Sequence, residues 1–282
     1  MAGVHIVCDS TADLDGEYRA AHAVRVVPLK VIFGSDVLAD GVDIDPPAFY
    51  QRMRTSAVHP RTSQPTPAEF EAVFRELGAD SAPIVCTTIS ADLSGTYASA
   101  AQARSALPEQ DIRVIDSRSA AIGHQAMVRA AVSVAEAGGS ADEVEVAMAR
   151  VAATTRVLFT VETLEYLRRG GRIGGARALL GSMLDIKPIL ELREGVIEPL
   201  ERVRTYPRAV ATLADHAIEA AGGWGDAVVF IAHADKTEVA AGLAESLTPQ
   251  LRSTPIVSDV GPVIGCHSGP GAIGIAFHQP LT

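Results

Sequence analysis

Cysteine is scarce in this 282-residue chain: Cys8, Cys86 and Cys266 are odd in number, far apart and in no CxxC pair. That pattern excludes a disulfide framework and a zinc site, and the three are expected to be reduced, buried small hydrophobes. No run approaches the roughly 18 apolar residues that a membrane span requires. The opening MAGVHIVCDS has no cationic region followed by a long apolar one, so a cytoplasmic location without stable membrane insertion is expected. Lysine- and arginine-rich runs are also missing and the formal charge is −10, which argues against nucleic acid and against an anionic lipid surface. Aromatic residues make up 5% of the chain against 48% hydrophobic, so any core or cavity is walled mainly by Val, Leu, Ile and Ala. GxxxxGK[ST], GxGxxG after a strand and GxSxG are all absent, which removes the usual marks of a nucleotide site and of a nucleophile elbow. No metal and no cofactor are expected.

What is present is a rhythm. Short apolar runs, VHIVC, PIVCTTI and IRVI, alternate with longer helix-like segments through residue 155, the βα pattern that builds a largely parallel sheet. A second series follows with VLFTV (157–161), KPILEL (187–192), AVVFIAH (227–233), PIVSDV (255–260) and AIGIAF (272–277). The turn at Glu194-Gly195 implies a hairpin and hence a mixed second sheet. The expected fold is α/β in two domains, 1–158 with a largely parallel Rossmann-like sheet and 159–282 with a mixed sheet. Thr66-Pro67-Ala68-Glu69 and Ser140 to Glu143 predict capped helix starts.

In open α/β sheets ligands bind beyond the carboxyl ends of the strands. The residues there share a composition: DSTADL (9–14), SADLSGTY (90–97), DSRSA (116–120) and GCHSGPG (265–271), to which PRTSQP (60–65) adds Thr62 and Ser63 on a proline-bounded loop. One helix cap accounts for one hydroxyl, and Asp9 and Asp116 read first as caps. In SADLSGTY, Ser90, Ser94 and Thr96 compete for a single cap, and Gly95 allows close backbone approach. The surplus suggests a ligand with oxygens, and the absence of lysine in these loops favours a carboxylate over a nucleotide phosphate. The alternative is a small-molecule hydrolase or phosphatase using Asp9, Ser94 and His267. His5, His124 and His233 read as satisfied core histidines. Arg168, Arg169, Arg172 and Arg177 surround two Gly-Gly pairs, and Arg202 and Arg204 follow in ERVRTY, as candidates for contact with a partner.

Taken in order, CDSTADL, PLKVIFGSDVLADGVDI (28–44), PRTSQPTPAEF, ISADLSGTYASA, IDSRSAAIG, ETLEYLRRGGRIGGA, IKPIL and GPVIGCHSGPGAIGIAF resemble the DegV family of FakB-type fatty-acid-binding proteins, collinearly over essentially the whole chain. Cys8 and Ser268 stand where threonine is common. The resemblance implies a long-chain fatty acid in a tunnel between two α/β domains, its carboxylate held by Thr62 and Ser94 with Ser63, Gly95, Thr96 and His267 nearby, spare hydroxyls capping a helix that begins near Ser94. It further implies a carrier with no catalysis of its own, which presents the acid to a separate ATP-dependent fatty acid kinase. The product is an acyl phosphate used in phospholipid synthesis, and Arg172 and Arg204 work with the kinase from outside the acyl pocket.

Overall fold

A computed structural model describes residues 3–180 and 186–281. Three sheets organise it. The first joins β1 (His5–Asp9), β2 (Arg25–Val27), β6 (Ile84–Thr88) and β7 (Ile112–Asp116) in the order β2-β1-β6-β7, all parallel. A second, antiparallel, lies between β2 and β6 in sequence: β3 (Lys30–Phe33) is flanked by β4 (Asp36–Ala39) and β5 (Arg61–Ser63). The third contains β8 (Arg156–Thr160), β9 (Lys187–Arg193), β10 (Val196–Val203), β11 (Val228–His233), β12 (Ile256–Asp259) and β13 (Ile273–His278), in the order β10-β9-β8-β13-β11-β12. It is mixed, since only β11 and β12 run parallel. The sequence-based boundary after residue 158 falls inside β8, and a division at Thr155 keeps that strand whole.

The helices are α1 (Gly16–Ala21), α2 (Pro46–Thr55), α3 (Pro67–Leu77), α4 (Thr96–Ser105), α5 (Ala121–Glu136), α6 (Ala141–Thr154), α7 (Glu165–Gly170), α8 (Tyr206–Trp224), α9 (Thr237–Leu247) and α10 (Pro262–Ser268). Both expected capping boxes are present, at Thr66 with Glu69 and at Ser140 with Glu143. The hairpin between β9 and β10 turns through Glu194 (φ 52°) and Gly195 (φ 85°), the paired positive φ values of a tight primed turn.

Strand alternation sorts the side chains into layers. In β1, Ile6 and Cys8 face inward while Val7 faces outward with Phe70, Phe74, Ala100 and Ala103 of α3 and α4. In β13, Ile273, Ile275 and Phe277 pack outward with Leu213 and Ala217 of α8 and Leu243 of α9. Between the first and third sheets lies α5, which touches strands of both and is buried along most of its length, so one apolar core runs from Ile6 and Val85 through Met127 and Ala131 to Leu190 and Phe230. The inner face of the third sheet carries small residues, Ala232, Gly274 and Ala276, opposite the bulky outer set. Those small residues leave room between the layers.

The cysteines are free and buried, as the sequence implies. Three expectations need correction. Thr62 and Ser63 belong to strand β5, because Thr62 lies opposite Val31 in a ladder with β3; the flanking prolines stop the strand rather than prevent it. The helix expected near Ser94 begins at Thr96: its N-cap, Gly95, has no side chain to offer, the Thr96 N–H donates to Ser94 Oγ at 3.4 Å, and the preceding residues form a turn in which Leu93 and Ser94 N–H donate to the Ser90 carbonyl. His5 is half-exposed and paired with Asp80 at 3.0 Å, since it opens an edge of β1 rather than its centre. Among the described residues no helix is long and apolar enough to cross a membrane.

Candidate functional site

The space between the layers is a cavity of about 120 Å³, roughly tenfold what one buried water needs. Leu29, Ile122, Phe159, Leu192, Ala232 and Val263 are typical of its walls, which draw on the second and third sheets, α5 and α10. At one end the wall becomes polar, where Thr62, Ser94, Arg172 and His267 meet. Sequence separation hides this constellation: Thr62 and His267 are 205 residues apart, yet Thr62 Oγ1 lies 2.9 Å from His267 Nε2 because α10 packs beside β5.

Each polar group is held by local structure. His267 Nδ1 is buried without a partner and faces Gly170, whose missing side chain makes the space: a Cβ there would overlap the imidazole. Burial first, then Arg172 and His59, push the His267 pKa down to about 4, so the ring is neutral at pH 7. Ser94 Oγ lies 2.9 Å from Thr96 Oγ1 and accepts the Thr96 N–H at 3.4 Å, at the start of α4, where helix N–H groups suit an anion. Arg172 Nε donates to Leu93 O at 2.9 Å and Nη1 to Gly170 O at 2.6 Å, which draws the guanidinium into the wall. Arg172, expected to act from outside the pocket, therefore stands in the cavity wall.

The remaining expected residues separate. Ser63 is exposed and lines neither this cavity nor its neighbour. Gly95 makes its close approach to the Gln64 side chain rather than to the cavity. Thr96 is buried beneath Ser94, and Arg204 is exposed at the end of β10, away from the cavity. Ser90 serves the scaffold, donating to Gly195 O at 2.9 Å and so tying the 90s turn to the β9–β10 hairpin. The hydrolase constellation is not assembled. Ser94 bonds Thr96, His267 bonds Thr62, and Asp9 is occupied by Thr11 and by the Ile89 N–H at 2.6 Å. Asp116 likewise binds the N–H groups of Ala91 and Arg118. Among the described residues no cluster of His, Cys, Asp and Glu is arranged to hold a metal ion.

Sequence reasoning passed over His59 and Arg61, which stand beside Thr62 in HPRT; the signal was a histidine and an arginine adjoining a ligand hydroxyl. It also passed over Asp13 and Asp40, which lie against Gly261 at the start of α10 and brace the helix that carries His267. Burial, opposed by a 2.7 Å hydrogen bond from Ser10, raises Asp40 to about 7, and burial with the neighbouring Asp40 raises Asp13 as well. The folded state therefore holds a proton on Asp40 between about pH 4 and 7 that the unfolded state has released, and stability falls as pH rises through that window. Between pH 5 and 8 the native protein is expected to lose on the order of 2–3 kcal/mol more than Asp40→Asn, measured by denaturant unfolding at each pH. Equal losses would place the titration elsewhere.

Layered sheets enclose an apolar cavity, closed at one end by hydroxyl, imidazole and guanidinium groups, in an α/β protein with space suited to a small amphipathic molecule. A family model described as "Uncharacterised protein, DegV family" matches residues 3–279, and the chain belongs to the DegV family. A DegV domain-containing protein of Streptomyces coelicolor is 40% identical over 277 residues, 96% of this chain and 97% of its own. Solved structures agree. A DegV family protein of Thermus thermophilus, described for its fatty acid binding, superposes with TM-score 0.93 at 33% identity over 99% of this chain and 100% of its own. DegV of Bacillus subtilis, described as a fatty acid binding protein, gives 0.90 at 31% identity with the same coverage. A stearic acid-binding protein of Eubacterium ventriosum gives 0.89 at 28% over 99% and 98%.

Proposed function

We propose that this chain binds one long-chain fatty acid, with its tail in the apolar cavity and its carboxylate at the Thr62–Ser94–His267 end. It presents that carboxylate to a separate ATP-dependent kinase, which converts it to an acyl phosphate for phospholipid synthesis. The observation that carries the binding reading is the single polar end on an otherwise apolar cavity, supported by the fatty-acid-binding descriptions of relatives that share the whole fold. Each methylene moved from water into the cavity contributes about 0.8 kcal/mol, so the tail supplies affinity and the hydroxyls orientation. Burial raises the bound carboxyl's pKa while hydrogen bonds from Ser94 and Thr62 lower it, and a carboxylate beside His267 raises that of the imidazole. Arg172, fixed by two carbonyls, and the exposed Arg204 are the proposed residues for working with the kinase.

The direct test is mass spectrometry of an organic extract of the purified protein beside its intact native mass. About one fatty acid per chain is expected; a ligand of another class would overturn the reading. The roles divide by substitution. Ser94→Ala is expected to weaken fatty acid binding roughly tenfold or more, in line with loss of a hydrogen bond to a charged group, whereas Arg172→Ala loses less binding but most phosphorylation by the kinase. Equal binding losses in the two variants would defeat this division.

A further inference from the structure

Behind the polar wall lies a second, wider cavity of about 900 Å³, which shares Thr62, Arg172 and His267 with the apolar one. These three residues form the wall between the two cavities, at the proposed carboxylate end. The outer part is lined by His59, Arg61, Arg169 and Arg172, and no Asp or Glu is among its lining residues, in a chain whose formal charge is −10. We propose that this vestibule is a phosphoryl site, in which Arg61, Arg169 and Arg172 hold the phosphate of the acyl phosphate while the tail stays in the apolar cavity.

This deepens the fatty-acid reading and rests on it, because the phosphate follows from where the carboxylate sits. In the transfer step a carboxylate oxygen attacks the terminal phosphorus of the kinase's nucleoside triphosphate. One O–P bond forms, the bond to the leaving nucleoside diphosphate breaks, and the acyl phosphate carries two further anionic oxygens. With the tail fixed, those oxygens project away from the apolar cavity, toward the arginines.

The guanidiniums are arranged for such a guest. Arg172 is preset by its two carbonyl acceptors. Among the described residues Arg61 makes no hydrogen bond or ion pair, so its donors are free. Arg169 donates to Glu165 at 2.6 Å, but Glu165 is also held by Arg168 at 2.7 Å and keeps a partner if Arg169 swings to a phosphate. His59 lines the vestibule and packs against the Tyr166 ring, with centroids 5.5 Å apart and planes tilted by 34°. Burial first and then Arg169, opposed by Glu165, lower the His59 pKa, and burial first, then Arg172 and His59, lower that of His267. Planar guanidinium forks pair bidentately with phosphate oxygens, which gives the geometry as well as the charge.

The test uses the delipidated full chain titrated with palmitate and with its 2-oxoalkylphosphonate analogue, in which a methylene replaces the bridging oxygen of the acyl phosphate. Wild type is expected to bind the phosphonate about tenfold more tightly than palmitate, with the difference shrinking as salt rises. The double variant Arg61→Gln/Arg169→Gln, both at exposed positions, is expected to lose at least tenfold in phosphonate affinity while palmitate affinity stays within about threefold. Equal phosphonate affinity in wild type and variant overturns the assignment and leaves the fatty-acid reading standing. Failure of wild type to bind palmitate overturns both. Tight binding of a nucleoside triphosphate by the isolated chain, lost in the same variant and without preference for the phosphonate, would assign the arginines to the nucleotide instead.

Discussion

Replacing Ala232 by phenylalanine is expected to abolish fatty acid binding while leaving the fold in place. Ala232 is 2% exposed, lies on the inner face of β11 and lines the apolar cavity. A phenyl group on β11 projects into this space, where methylenes of the tail would lie. Displacing even four methylenes of a bound tail costs roughly 3 kcal/mol, which is about two decades of affinity. Because the ring enters existing space, the stability change should stay below the ~1–3 kcal/mol typical of overpacking. Calorimetric titration with palmitate, beside a thermal melt, reads both quantities. Unchanged affinity in a folded Ala232→Phe protein would mean that the tail lies elsewhere.

A backbone position should show the opposite pattern, large in stability. Gly269 follows α10 with φ 75° and ψ 169°, a conformation that side chains other than glycine's rarely adopt, and a Cβ there would overlap the Tyr166 ring. Gly269→Ala is expected to cost about 3 kcal/mol or more, a fall in melting temperature of roughly 6–12 °C. It also shifts Tyr166, against which His59 packs, so the vestibule loses order with it. Gly222 is the control: it is exposed within α8, a Cβ there meets nothing within 4 Å, and Gly222→Ala should stabilise by about 0.5–1 kcal/mol. A neutral Gly269→Ala measured beside a stabilising Gly222→Ala would show that the turn can relax without cost.

What the sequence determined by itself follows from local rules. The near-continuous apolar runs VHIVC and PIVCTTI mark strands buried on both faces, as parallel sheets require, and the first sheet is parallel. Glu194-Gly195 closes a tight hairpin, and β9 and β10 pair antiparallel there, in a sheet whose one parallel pair is β11 with β12. Hydroxyl-proline-glutamate spacing placed the start of α3 to the residue. The order of motifs identified the family, which the whole-length match bears out.

Tertiary structure decided the rest, because non-local packing sets it. Strands β3, β4 and β5 are three or four residues long, too short for a periodic signal, and they exist through pairing with one another and packing against α10. Hydroxyls that look alike in SADLSGTY take different tasks: Ser90 bonds a hairpin 105 residues away, while Ser94 lines the cavity. Arg172 reads as a surface charge beside two glycines, yet the carbonyls of Leu93 and Gly170 turn it inward. The cavity itself comes from Ala232 and Gly274 standing opposite α5, and their smallness acquires meaning only when two strands distant in sequence become neighbours. Composition and periodicity report what each residue does to its own segment; a binding site is made where segments meet.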